Sequence, residues 1–201
     1  MTLATAKSGA CPEQRVRDLL AELVRTADAA GDLDLCLSSF EWCAEEPRYL
    51  PACRQIEGAT GVTPVIDALK DAVGFLRWQQ TYGLQDGMSQ GWLDDYGWAH
   101  LVSPDGPIVS ASLRIAIAIW GAGYTYPAHA HGPKETYVIL SGDAVFDSAG
   151  RPKRRVGPGD LVHHAPWQTH GFAVGDTPLI VGTIWQGEGL LQKSRLEGPD
   201  R

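Results

Sequence analysis

The spacing of hydrophobic positions changes halfway along the chain. After Pro12, residues Val16, Leu19, Leu20, Leu23, Val24 and Ala27 recur at i, i+3 and i+4. That spacing predicts an amphipathic helix, opened by Pro12 and stopped by Gly31. A second helical stretch is predicted from Leu33 to Glu46, broken by Pro47. A third is capped by Thr63, opens at Pro64, buries Ile66, Leu69, Val73 and Leu76, and ends at Gly83.

Further on, the period becomes two. Leu113, Ile115, Ile117 and Ile119 alternate with Arg114, Ala116, Ala118 and Trp120, as in a strand. More strands are predicted at 136–140, 144–147, 160–164, 171–174 and 179–185. Turn signals such as Ser141-Gly142-Asp143 and Gly157-Pro158-Gly159 separate them. Many short strands at regular spacing predict a sandwich or barrel. The expected architecture is mainly β, with residues 1–95 a helical region packed on a barrel of residues 96–201.

Charge follows the same division. The 201 residues include 17 basic and 24 acidic side chains, a formal net charge of -7. Residues 1–95 hold 8 basic and 15 acidic side chains, so the whole excess is theirs. Nucleic-acid binding calls for a basic face, and anionic membranes for basic clusters. Neither partner is expected. No run approaches the roughly 20 apolar residues of a membrane span. The start, MTLATAKSGACPEQ, has no apolar core of an export signal, which points to the cytoplasm. Cys11, Cys36, Cys43 and Cys53 are irregularly spaced and read as reduced thiols. Arg151-Pro152-Lys153-Arg154-Arg155 reads as a solvated hairpin tip.

Histidine carries the chemistry. Of 6 histidines, His129, His131, His163, His164 and His170 crowd together. His129 and His131 are two apart, so on a strand both imidazoles leave one face. Glu135 and Tyr137 share a face of the next strand. A turn through Gly132-Pro133 folds one pair over the other. Two nitrogens, a carboxylate and a phenol then converge, which suits one divalent transition metal: Zn, Fe(II), Mn, Co or Ni. His170, behind a glycine turn, a strand and Pro166, is the best candidate for a further ligand. His163 and His164 alternate, so only one can face inward; ligation is expected of neither.

These segments resemble the two motifs of the cupin superfamily. Gly123, His129, His131, Glu135 and Gly142 match the first without a gap; Gly159, Asp160, Pro166 and His170 match the second. The resemblance covers about residues 96–190. It implies a cupin jelly-roll barrel with the metal inside, held by His129, His131, Glu135 and His170. The stretch HAHGPKETYVILSG, the later GTIWQG and the helical region ahead of the barrel are similar to the cupin-type dimethylsulfoniopropionate lyases, the Q-type above all. That likeness implies β-elimination of dimethylsulfoniopropionate to dimethyl sulfide and acrylate. It maps the family's active-site tyrosines onto Tyr126 and Tyr137, and its pocket tryptophan onto Trp185. Some members bring the tyrosine at the Tyr137 position to the metal, which leaves His129 open between metal and substrate.

The chemistry fits a small zwitterionic substrate. A metal can polarise its carboxylate and acidify the adjacent CH2. Tyr137 is the expected base, since a nearby cation favours its phenolate. Aromatic faces can hold a sulfonium at roughly 0.5–2 kcal/mol each, which gives the 7 tryptophans a use. Trp120 and Trp167 are placed in the core or pocket rim. Two other functions would use the same ligands: an Fe(II)-dependent cupin dioxygenase and a non-catalytic small-molecule-binding cupin. The helical region is assigned to cover the barrel mouth, exclude water or form a homodimer contact.

Overall fold

A computed structural model describes residues 11–29 and 41–197. Helix α1 (Pro12–Asp28) buries Val16, Leu19, Leu20, Leu23 and Ala27, the stripe that the spacing predicts. Gly31, Cys36 and most of the second expected helix lie outside the described residues. The described end of that stretch is not helical. Glu41–Trp42 is strand β1, paired with residues 108 and 109. Cross-strand backbone bonds outweigh local helix propensity there.

Helix α2 (Thr63–Ala72) starts at Thr63 itself, with Val62 at the cap position. It ends well short of Gly83. A 3-10 turn (Val73–Phe75) and strand β2 (Trp78–Gln79) follow. Burying Trp78 against the sheet favours that exit over another helical turn. A short helix α3 (Gln90–Asp94) is capped by Ser89, whose Oγ accepts from the Trp92 amide.

The remaining strands run in order: β3 (Tyr96–Ser103), β4 (Ile108–Val109), β5 (Leu113–Trp120), β6 (Thr125–Ala130), β7 (Lys134–Ser141) and β8 (Ala144–Ser148). Then come β9 (Arg154–Val156), β10 (Leu161–His164), β11 (His170–Val174), β12 (Leu179–Gln186) and β13 (Arg195–Leu196). They form two sheets. One has the order β1-β4-β3-β5-β12-β7-β10, with β2 on β3; the other is β13-β6-β11-β8-β9. Chain neighbours β6 and β7 belong to different sheets, so the chain crosses between them. The result is a cupin jelly roll. Because β1 and β2 join the large sheet, residues before 96 are not wholly helical.

The alternation along β5 sorts two cores. Ile115, Ile117 and Ile119 pack outward with Leu19, Leu23 and Ile66 of α1 and α2. Ala118 and Trp120 pack inward with Tyr126, Tyr137 and Phe172. The two longer helices therefore cover the outer face of the large sheet. No helix among the described residues is long and apolar enough to cross a membrane.

Two glycines are required by geometry. Gly142, at the β7–β8 turn, has φ +78°, and a Cβ there would lie 2.2 Å from the Pro178 carbonyl oxygen. Gly182 faces α1, where a Cβ would lie 2.3 Å from Leu23 Cδ1. Gly182→Val should therefore lift α1 from the sheet and cost about 1–3 kcal/mol. Urea unfolding measures this; an unchanged midpoint would contradict that docking.

Candidate metal centre

Each predicted ligand comes from a position that the strands fix. His129 lies on β6 and His131 just after it, Glu135 lies on β7, and His170 opens β11. His170 and His129 sit opposite one another in the β11–β6 register. The Gly132-Pro133 turn brings Glu135 over from the other sheet. One ligand atom from each of His129, His131, Glu135 and His170 falls within a group 4.8 Å across, and all four residues are buried.

The histidines share one hydrogen-bond arrangement. Nδ1 of His129 lies 2.9 Å from the Pro127 carbonyl oxygen, that of His131 3.0 Å from Pro133, and that of His170 2.7 Å from Gln168. A carbonyl oxygen only accepts, so each Nδ1 carries the proton and donates it. In the neutral ring, Nε2 then presents a lone pair. Yet Nε2 of His131 and of His170 lies 2.9 and 3.0 Å from Glu135 Oε2. Lone pairs converging on a carboxylate need a proton or a cation among them. The donor set fits a divalent cation on that ground.

Glu135 is held on its other side by Trp185, whose Nε1–H donates to Oε1 at 2.5 Å. Burial pushes the Glu135 carboxyl up, but without a cation a proton on Nε2 of His131 or His170, donated to Oε2, overrides this and holds the group well below the usual range. Burial pulls the His129 imidazole down to about 3, and neighbouring His170 adds to the effect.

Tyr126 and Tyr137 are buried in the same inner core. The Tyr126 ring meets His129 edge-on at 4.6 Å; Tyr137 lies 6.1 Å from the His170 ring. Burial raises both phenols well above their ordinary value, with the Glu135 charge pushing Tyr137 further. Trp185 contacts His131 at 4.0 Å between ring centroids.

Of the two adjacent histidines, His164 faces inward. It is paired with Glu135 in the β10–β7 register and stacks on His170 at 3.8 Å. Its Nε2 shares a hydrogen bond with Ser148 Oγ at 2.9 Å. His163 points the other way and bonds Thr136. Trp120 joins the pocket wall, as expected. Trp167 does not join the core: it is 57% exposed, with φ +60°. Arg154 and Arg155 pair with Asp160 and Asp143 at the surface, as a solvated turn should.

A cavity of about 260 Å³ opens beside the ligand set. His129, Glu135, Tyr126, Tyr137 and Trp185 line it, so five of the candidate site residues meet at one hollow. Sequence reasoning missed Tyr96, Trp98, His100 and Arg114, which line the same cavity from β3 and β5. One signal was present: Arg114 is a charged residue in the otherwise apolar inward series of β5.

A jelly roll with three histidines and a glutamate converging inside defines a cupin with a group of residues that could hold a metal ion. The sequence profile of the dimethylsulfoniopropionate lyase family matches residues 44–181, and the chain belongs to that family. Dimethylsulfoniopropionate lyase DddQ from Ruegeria pomeroyi is 34% identical over 130 residues. The matched part spans 64% of this chain and 64% of that relative. The crystal structure of DMSP lyase DddQ from Ruegeria pomeroyi DSS-3 superposes with a TM-score of 0.81 at 29% identity, covering 94% of this chain and 98% of that one. A structure from a study of the DMSP lyases RdDddP and RnDddQII shares the fold, with a TM-score of 0.83 at 24% identity over 94% and 100% of the two chains.

Proposed function

We propose that this chain is a metal-dependent dimethylsulfoniopropionate lyase. The observation that carries the reading is the convergence of three Nε2 lone pairs and Glu135 at the wall of a small aromatic cavity. We assign His129, His131, Glu135 and His170 as the ligand set of one divalent transition metal. Tyr137 is the base, while Tyr126 and Trp185 form part of the substrate wall.

In the reaction, the base takes a proton from the carbon next to the carboxylate. That electron pair becomes the new C=C bond, and the C–S bond breaks toward sulfur. Acrylate and dimethyl sulfide leave, and the tyrosine keeps the proton. A buried phenol raised in pKa is a poor base by itself. A divalent cation in the ligand set supplies the missing positive charge, acidifying the substrate and favouring the phenolate. Tyr137 lines the cavity and stands two residues from Glu135, so its oxygen has access to both substrate and that charge. Tyr126, backed by Trp120 at 4.9 Å, offers π-surface to the sulfonium.

Tyr137→Phe should retain metal and lower kcat by about a hundredfold or more, the usual weight of a general base. Headspace detection of dimethyl sulfide and elemental analysis of the same sample measure the two quantities. Full turnover in Tyr137→Phe would remove its role as base. No dimethyl sulfide from the metal-loaded parent protein would sink the lyase reading.

A further inference from the structure

Arg114 is charged and faces the cavity, and the Glu135 and Asp105 carboxylates in the same lining favour its charge from beyond ion-pair distance. It stands opposite Trp185 in the β5–β12 register. Its guanidinium carbon lies 4.8 Å from the Trp98 ring and 4.3 Å from the Trp185 ring. One terminal nitrogen donates to the Leu190 carbonyl at 3.2 Å, while Nε is buried without a hydrogen-bond partner. No carboxylate is in ion-pair contact with it among the described residues. In the same wall, His100 Nε2 is also buried and unpartnered.

A guanidinium keeps its charge in a protein, so this one bears a desolvation cost that the ring faces and the Glu135 and Asp105 charges offset only in part. An anion would complete it. The cavity beyond is shaped for the rest of such a ligand. Ala116 and Ala118 leave room along the inner face of β5, and Trp120 and Tyr126 close the far end with π-surface. One end is thus cationic, and the other favours a cation.

We infer that Arg114, clamped by Trp98 and Trp185, is a carboxylate-binding subsite that orients a short zwitterionic acid with its cationic end toward Tyr126 and Trp120. A guanidinium matches a carboxylate through two parallel N–H donors. It also repels a sulfonium, which penalises the reversed pose. The identity of the ligand rests on the lyase reading; the anion subsite does not.

The test uses two probes on the metal-loaded protein, with tryptophan fluorescence as readout. Acrylate carries only the anionic end; trimethylsulfonium carries only the cationic end. Arg114→Met should weaken acrylate binding at least tenfold and leave trimethylsulfonium within threefold. Arg114→Lys, which keeps the charge but loses the fork, should fall between Met and the parent. If Arg114→Met does not fold, Arg114→Gln takes its place, with the same tenfold loss expected. In turnover, the Met variant should raise KM for dimethylsulfoniopropionate more than it lowers kcat. Unchanged acrylate affinity in a folded Met or Gln variant overturns the subsite, whether or not the parent is a lyase. Arg114-dependent acrylate binding by a parent that releases no dimethyl sulfide upholds the subsite and overturns the lyase reading.

Discussion

Glu135→Gln should abolish stoichiometric metal binding and cut turnover by ~100-fold or more, beyond the cost typical of outer-shell changes. The argument starts from charge. Among the four candidate ligands, Glu135 alone is anionic; the three histidines have their Nδ1 protons committed to backbone carbonyls. Glutamine keeps the size and can still accept from Trp185, so the pocket should persist. What disappears is the negative charge that faces two Nε2 atoms at 2.9 and 3.0 Å. The metal-free variant loses the charged contacts of Glu135 with His131 and His170 and should be less stable than the metal-free parent, so its folded state is checked by circular dichroism before metal is added. Its response to metal should vanish. The parent protein should gain stability with added metal in proportion to the logarithm of metal concentration, whereas the variant should show no shift in thermal midpoint. A Gln variant that retains one metal per chain through dialysis would remove Glu135 from the ligand set. The contrast with Tyr137→Phe, expected to keep metal and lose turnover, separates holding the ion from using it.

The site was legible where it is local. His129, His131 and Glu135 sit on two strands joined by a short turn, so a period of two and a Gly-Pro signal suffice to converge them. His170 comes from a distant segment, and only the second motif points to it. Alternation shows that one of His163 and His164 must face inward. Which one depends on register: His164 pairs with Glu135 across β10 and β7, and directly paired residues share a face. The far wall of the cavity was not legible. Trp98 and His100 reach it through β3, while Tyr82 and Trp92 arrive from the region read as helical and join the aromatic core around Tyr126. Those placements depend on long-range pairing, such as β2 on β3, which no local period encodes. The second predicted helix fails for the same reason at its described end, where β1 takes its partners from residues 108 and 109.

Acid should destabilise the metal-free protein well before its carboxylates titrate. Three buried imidazoles, His100, His129 and His164, are held down to about 3. Burial is the main cause in each case, helped by the Arg114 charge at His100 and by His170 at the other two. In the unfolded chain, an imidazole takes its proton near pH 6.5. Above that pH both states are neutral, and these groups contribute no pH dependence. Below it, the unfolded chain binds protons that the folded protein cannot, so stability falls as pH falls, until the folded groups also titrate near 3. Each imidazole contributes up to about 1.4 kcal/mol per pH unit within that window. Glu135 acts in the same direction at lower pH. Its folded pKa is depressed, so its contribution is present above about 4.3, the unfolded value, and is lost as pH falls further. Urea unfolding between pH 8 and pH 4.5 should therefore show a plateau and then a steep decline beginning near 6.5. His100→Gln removes one titrating group outside the ligand set, and should flatten the decline by about one proton. A stability curve that is level from pH 7 to pH 5 would mean that these imidazoles are not buried as neutral groups, and with that the packing of the cavity wall would have to be redrawn.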